Sequence, residues 1–275
     1  MTFGSDTVTP TTTAAASTAE VRLNSDSPIQ VPEGINNIVS AIPYYCPTGA
    51  FSPDESYVTR VRMQSNDISV EPCRFMMSGV NTGDAAFASV QAPILQEYIM
   101  NIPNASAANM NVYAQPLVNN TVATFVGCEL VYSTGSTGQQ QYWQTPDSLS
   151  TGGTAIDTRT TLNTITITEG QEITSLGMMV APTTAAASTH DCGEAEFASS
   201  DFSVPFPYKF PIAPSFAGLG AAAAQLTNPN GLSRQKFPAG HGIPIAPRCL
   251  INSFYTNRDA KGVGSSVMPF LSFTR

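Results

Sequence analysis

Few side chains in this sequence could carry chemistry. Its 275 residues include two histidines, His190 and His241, and five cysteines, Cys46, Cys73, Cys128, Cys192 and Cys249. The triplet His190-Asp191-Cys192 joins an imidazole, a carboxylate and a thiol, the ingredients of a nucleophilic dyad or a metal centre. Neighbours on extended chain point to opposite sides, however, whereas such sites draw on separated positions that converge. With Gly193 following, the triplet reads as a loop. His241 lies between Gly240 and Gly242 and reads as a turn before a strand. Asp191, Glu194 and Glu196 could offer oxygens to calcium, but the EF-hand spacing is absent. Gly218-Leu219-Gly220 runs into alanines instead of the GK[ST] of a phosphate loop, and no G-x-S-x-G elbow occurs. The cysteines form no CxxC, and their odd count suits free, buried thiols in a reducing compartment. Asn104-Ala105-Ser106 and Asn119-Asn120-Thr121 fit the glycosylation pattern, yet residues 1–20 lack the basic start and apolar middle of a secretory signal. The expectation is no catalytic, cofactor-binding or metal site, and no enzyme.

The composition points to a scaffold instead. Charged residues make up 12% of the chain, about half the usual share, while Gly (20) and Pro (21) together outnumber them. Strands and turns follow from this, because helical bundles and coiled coils need many Glu, Lys and Arg. A net charge of −8 with no basic residue before Arg22 argues against sequence-independent nucleic-acid binding. No run of about 18 apolar residues could form a membrane-spanning helix. So little surface charge leaves weak repulsion between molecules, as suits a surface held against neighbours.

Two stretches are of low complexity. Residues 1–20, rich in Thr, Ala and Ser, are expected to form a flexible N-terminal arm. Residues 135–158 are expected to be a linker or long loop, in which Tyr142-Trp143 is an exposed anchor for a neighbour or, alternatively, a platform for a sugar. Between and after them the sequence echoes itself. Leu23-Asn24 matches Leu162-Asn163, and Ile29-Gln30-Val31-Pro32-Glu33-Gly34 matches Ile165-Thr166-Ile167-Thr168-Glu169-Gly170. Asp67-Ile68-Ser69-Val70 matches Asp201-Phe202-Ser203-Val204, and Arg74-Phe75 matches Lys209-Phe210. Gln115-Pro116-Leu117-Val118-Asn119 is echoed by Cys249-Leu250-Ile251-Asn252, and each half closes on an apolar strand. These collinear pairs, offset by about 132 to 139 residues, imply a tandem duplication. Period-two segments such as Tyr57 to Met63 and Thr164 to Thr168 read as short strands, about eight to a unit. Ile94 to Met100 and Gly220 to Leu226 are each compatible with a short helix. The expected fold is all-β: two tandem jelly-roll sandwiches, residues 21–134 and 159–275.

On these repeat pairs and closing strands, the chain resembles the double jelly-roll major capsid proteins of tailless icosahedral, often membrane-containing viruses. The resemblance implies barrels standing side by side, three chains forming a pseudo-hexagonal homotrimer, and an icosahedral shell built from such trimers. It implies as partners the chain itself, neighbouring capsomers, minor capsid and vertex proteins and an internal viral membrane, with no direct grip on nucleic acid. Synthesis in the host cytoplasm and residence in the virion follow, with the N-terminal arm reaching beneath a neighbouring capsomer. The alternative function is a two-domain β-sandwich module of the carbohydrate-binding or adhesin type. A cupin-like enzyme would need converging His and carboxylate ligands, which two separated histidines supply poorly.

Overall fold

The computed structural model describes residues 3–7, 11–13, 20–23, 28–47, 56–70, 73–80, 97–117, 124–136, 138–182, 189–202, 207–217, 231–258 and 265–275. In the first half the strands are β1 (Phe3–Thr7), β2 (Thr11–Thr13), β3 (Val21–Arg22), β4 (Ile29–Gln30), β5 (Asn37–Pro47), β6 (Ser56–Ser65), β7 (Cys73–Val80), β8 (Tyr98–Pro103), β9 (Asn109–Pro116) and β10 (Thr124–Ser133). One sheet runs β1/β2–β10–β5–β8, and the sheet opposite runs β3/β4–β9–β6–β7.

The second half continues with β11 (Tyr142–Gln144), β12 (Ser150–Gly152), β13 (Arg159–Thr161), β14 (Ile165–Ile167), β15 (Glu172–Pro182), β16 (Thr189–Ala198), β17 (Tyr208–Ala217), β18 (Gly231–Lys236), β19 (Ile243–Pro244), β20 (Cys249–Asn257) and β21 (Ser265–Thr274). Its sheets run β11/β12–β21–β15–β18 and β13/β14–β20–β16–β17, with β19 beside the start of β15.

Both halves share one plan. With each broken pair taken as a single strand, every half has eight strands in the order first-eighth-third-sixth and second-seventh-fourth-fifth. That is the order of a jelly roll, in which two Greek keys wrap into facing sheets. The fold is a duplicated all-β jelly-roll sandwich. Even an irregularity repeats: the pairing of β5 with β8 shifts between Ile38 and Ser40, and that of β15 with β21 between Ile173 and Ser175. A bulge at the same place in each third strand bends both sheets alike.

The cores follow the pleat. Ile38 and Ala41 on β5, Val61 and Met63 on β6, and Val112 and Ala114 on β9 fill the first sandwich. Ile173, Leu176 and Met178 on β15, Phe197 on β16, and Ile251 and Tyr255 on β20 fill the second. Burying aliphatic and aromatic side chains of this kind contributes about 1.5–3 kcal/mol each.

Four expectations are corrected. Within residues 1–20, read as a flexible arm, β1 and β2 pair with β10 and supply the first barrel's opening strand. Backbone hydrogen bonds to an open sheet edge require no apolar pattern, and Thr11, Thr12 and Thr13 are β-branched and suit a strand. Residues 135–158, read as a linker, contain β11 and β12, which pair with β21 and open the second barrel. Tyr98–Pro103 is a strand where a helix over Ile94 to Met100 was compatible with the sequence, because Tyr98, Met100 and Ile102 alternate inward with period two. The Gln115–Cys249 echo is out of register: Met110 pairs with Ile29 as Ile251 pairs with Ile165, so Cys249 matches a residue near the start of β9. Gly220 to Leu226 lies outside the described residues.

Candidate functional site

The two barrels meet through Trp143. It is 1% exposed, so the expected exposed anchor is instead buried inside the chain. Period two splits β11: Tyr142 stacks on Phe273 toward the second barrel's core, with ring centroids 5.6 Å apart. Trp143 turns the other way, toward the first barrel. Its ring meets Tyr98 of β8 edge-on at 4.8 Å, and its indole Nε1 donates to the Ile99 carbonyl at 2.7 Å. A single parallel bridge between Trp143 and Cys73 joins the first barrel's β7 to β11, merging sheets of both barrels into one of eleven strands. Phe270 of β21 packs 6.3 Å from Trp143. Gly177 makes room for it, since a Cβ there would sit 2.2 Å from the Phe270 ring. All ten residues of β21 are buried, one face by the second barrel's core and the other by this contact.

A charged clamp closes the rim. The Arg60 guanidinium of β6 is buried and donates to Asp147 Oδ1 at 2.9 Å, to the Pro146 carbonyl at 3.3 Å and to Gln115 Oε1 at 2.5 Å. Arg74 of β7 donates to the same Asp147 oxygen at 2.9 Å. Two arginines of the first barrel thus hold the segment between β11 and β12 of the second.

Each barrel also carries an ion pair lying over an aromatic ring on the outer face of its β3/β4–β9–β6–β7-type sheet. In the first, Arg62 of β6 grips Glu20 through Nε and Nη2 at 2.6–3.0 Å while its guanidinium lies 4.3 Å from the Tyr113 ring centroid. In the second, Arg159 of β13 grips Glu196 of β16 at 2.9–3.1 Å and lies 3.4 Å from the Phe254 centroid. Tyr113 pairs with Arg62 as Phe254 pairs with Glu196, so the two pairs occupy matching sites with opposite polarity. Hydrogen bonds from Arg159, and then from Lys209, hold the Glu196 carboxyl below its ordinary range despite burial. The stabilisation from this pair is therefore present above the usual carboxylate range and is lost as pH falls through the lowered value.

The residues weighed for chemistry stay apart. His190 and Asp191 lie on β16, a strand where a loop was expected, with a pairing shift between Asp191 and Gly193. Glu194 accepts from Arg258 at 2.7 Å and Glu196 from Arg159, so arginines occupy the oxygens that calcium would need. His241 is exposed in a turn, its N–H donating to the Pro238 carbonyl at 2.9 Å. Among the described residues no three His, Cys, Asp or Glu side chains form a group able to hold a metal. Cys73, Cys128 and Cys249 are buried thiols in no disulfide, and Cys192 is half-buried. Burial pushes the Cys128 thiol up to about 12, which leaves it protonated and inert. Asn104 sits in a turn at φ 56°, and Ser106 Oγ accepts from the Gly34 N–H. Cys46 lies on β5, while Asn119-Asn120-Thr121 and Gly218-Leu219-Gly220 fall outside the described residues.

The sequence singled out Tyr142-Trp143 but not what it touches. Arg60, Asp147 and Tyr98 were missed, because a buried arginine and a lone aspartate carry no spacing signature.

Neither a protein-family model nor a curated protein matches the chain. Among solved structures it is similar to a chain of the Sulfolobus Turreted Icosahedral Virus, with 10% identity over 99% of this chain and 90% of that one, at a TM-score of 0.47. It is also similar to a chain of infectious bursal disease virus strain Gx, with 11% identity, 99% and 72% coverage and a TM-score of 0.28. A third similarity is to a chain of the T=1 Penaeus vannamei nodavirus, with 9% identity, full coverage of both chains and a TM-score of 0.25.

Proposed function

We propose that this chain is a major capsid protein that self-assembles, as pseudo-hexagonal homotrimers, into an icosahedral virus shell. The observation that carries the reading is the seating of one barrel on the other. It is head-to-tail: the outer face of the β11/β12–β21–β15–β18 sheet, led by Trp143 and Phe270, rests on the β7 and β8 side of the first barrel. Contacts of this heterologous kind close into rings when the rotation per step allows it. Repeated between chains, the same seating places the first barrel of one chain on the second barrel of the next, and three chains present six similar lobes.

The first barrel's corresponding face carries Val39, Ile42, Glu129 and Val131, all half-buried. Glu129 stands where the second barrel has Phe270, and Ile42 where it has Gly177. That face sets one carboxylate among three branched aliphatic side chains, a mixed surface such as contacts between separately folded subunits use. The low overall charge fits a surface held against neighbours. Minor capsid and vertex proteins, an internal membrane and the virion location belong to the same reading. So do the unit boundaries, with each barrel beginning at its own opening strand.

Light scattering after size exclusion, with electron microscopy of the native assembly, tests it. Trimers or shells with six-lobed capsomers are expected, and Ile42→Arg should lower the trimer fraction while the monomer's melting temperature holds. A folded monomer at every concentration that binds a glycan would overturn the proposal in favour of a carbohydrate-binding module.

A further inference from the structure

A cleft of about 220 Å3 opens where the barrels meet, bounded by Ile99 of the first and by Trp143, Thr174, Arg234, Lys236 and Ser272 of the second. That is below the ~300 Å3 at which drug-sized pockets begin, so the space suits a small ligand. Arg234 and Lys236 are two apart on β18 and therefore share a face. The Arg234 guanidinium lies 5.3 Å from the Trp143 ring centroid and is half-buried.

Six of the chain's cations, Arg60, Arg62, Arg74, Arg159, Lys209 and Arg258, each have a carboxylate within 4.0 Å. Among the described residues neither Arg234 nor Lys236 has such a partner. Glu97 lends both a favourable field from farther off, with Oε1 accepting from Ser40 Oγ at 2.6 Å. Burial disfavours the charge on Arg234, and Arg234 in turn disfavours the charge on Lys236. Two adjacent cations, one partly desolvated, are an arrangement that a counter-anion relieves. The wall beside them, on β15 and β21 of the same sheet, is lined with hydroxyls: Ser272 Oγ lies 2.7 Å from Thr174 Oγ1 and 2.6 Å from Ser175 Oγ. Hydroxyls rotate their protons to suit the ligand, so this wall can donate to an oxyanion.

We infer that the cleft between the barrels binds a small oxyanion, with Arg234 and Lys236 supplying the charge and the Thr174–Ser272 hydroxyls the remaining donors. The shared chemistry is that of a phosphate or a compact carboxylate. Glu172 also lines the cleft and opposes the ligand, which limits its negative charge. The site is independent of the capsid reading.

Calorimetric titration of the full-length protein with inorganic phosphate, at ionic strength held constant with sodium chloride, tests the inference. Malonate in a second arm tells carboxylate from phosphate. One saturable site per chain is expected for at least one of the two anions. Arg234→Gln and Lys236→Gln should each weaken it about tenfold or more, Glu172→Gln should tighten it, and Arg159→Gln should leave it unchanged. Lys236, less buried than Arg234, supplies the variant least able to disturb folding. Absence of saturable binding by both anions, or equal weakening in Arg159→Gln, would overturn the inference.

Discussion

The two barrels are built to one plan, and their matching ion pairs run in opposite senses. In the first, an arginine on the fourth strand reaches a glutamate next to the second strand, over Tyr113. In the second, the glutamate is on the fourth strand and the arginine on the second, over Phe254. What the duplicated fold preserves at this place is an ion pair lying over an aromatic ring, and either strand can supply the cation. A second device is kept almost unchanged. Ser65 Oγ accepts from the Asp67 N–H, and Asp67 Oδ2 accepts from the Asn109 N–H at 2.7 Å. Ser199 and Asp201 repeat this with the Leu250 N–H at 3.4 Å. The barrels part most at their third and eighth strands, where Gly177 and Phe270 of the second replace Ile42 and Glu129 of the first. That replacement turns a half-exposed face into an internal interface.

The comparison breaks most severely at Trp143. Replacing it with Ala should destabilise the chain by about 3–5 kcal/mol, through a large cavity and the loss of the bond to the Ile99 carbonyl. Chemical denaturation measures this; a loss confined to assembly, with the isolated chain's stability intact, would contradict the buried position. Exchanging the polarity of the first barrel's pair gives an intermediate effect. Arg62→Glu alone should cost about 1–3 kcal/mol by facing Glu20 with a like charge, and adding Glu20→Arg should recover most of it. A double variant no better than the single one would show that polarity is fixed after all. The smallest effect is expected at the Ser-x-Asp turns: Asp67→Ala should cost about 1 kcal/mol and Asp201→Ala less, given the longer bond, as equilibrium unfolding of both variants would report.

The sequence disclosed the repeat because residues that touch their own half keep their spacing. Leu23 and Leu162 donate to the seventh strands through Val112 and Ser253, and the echo containing Asp67 and Asp201 marks the two turns. The Glu-Gly echo was legible for two different reasons: Gly34 has φ +82°, whereas Gly170 is required by Ile245 Cδ1, which a Cβ would approach to 2.8 Å. The opening strands stayed hidden, because both sit in polar low-complexity stretches and gain their order from the edge they join. Trp143 was misjudged for the same reason. A polar neighbourhood along the chain says little about burial when the covering surface is about 45 residues upstream. The Arg234–Lys236 cleft could not be read either, since its hydroxyl wall comes from two strands about a hundred residues apart.

The bridge from Trp143 to Cys73 also bears on the order of events during synthesis. All the strands of the first barrel have been made by Ser133, before Tyr142 and Trp143 leave the ribosome. Domains fold largely as units as they emerge, so the first barrel can close while the second is still unmade. Its Tyr98 side is then bare until β11 arrives as the opening strand of the second barrel. That nascent barrel starts from a strand already docked on a finished template, and the most vulnerable interval in the chain's life is the delay between the two.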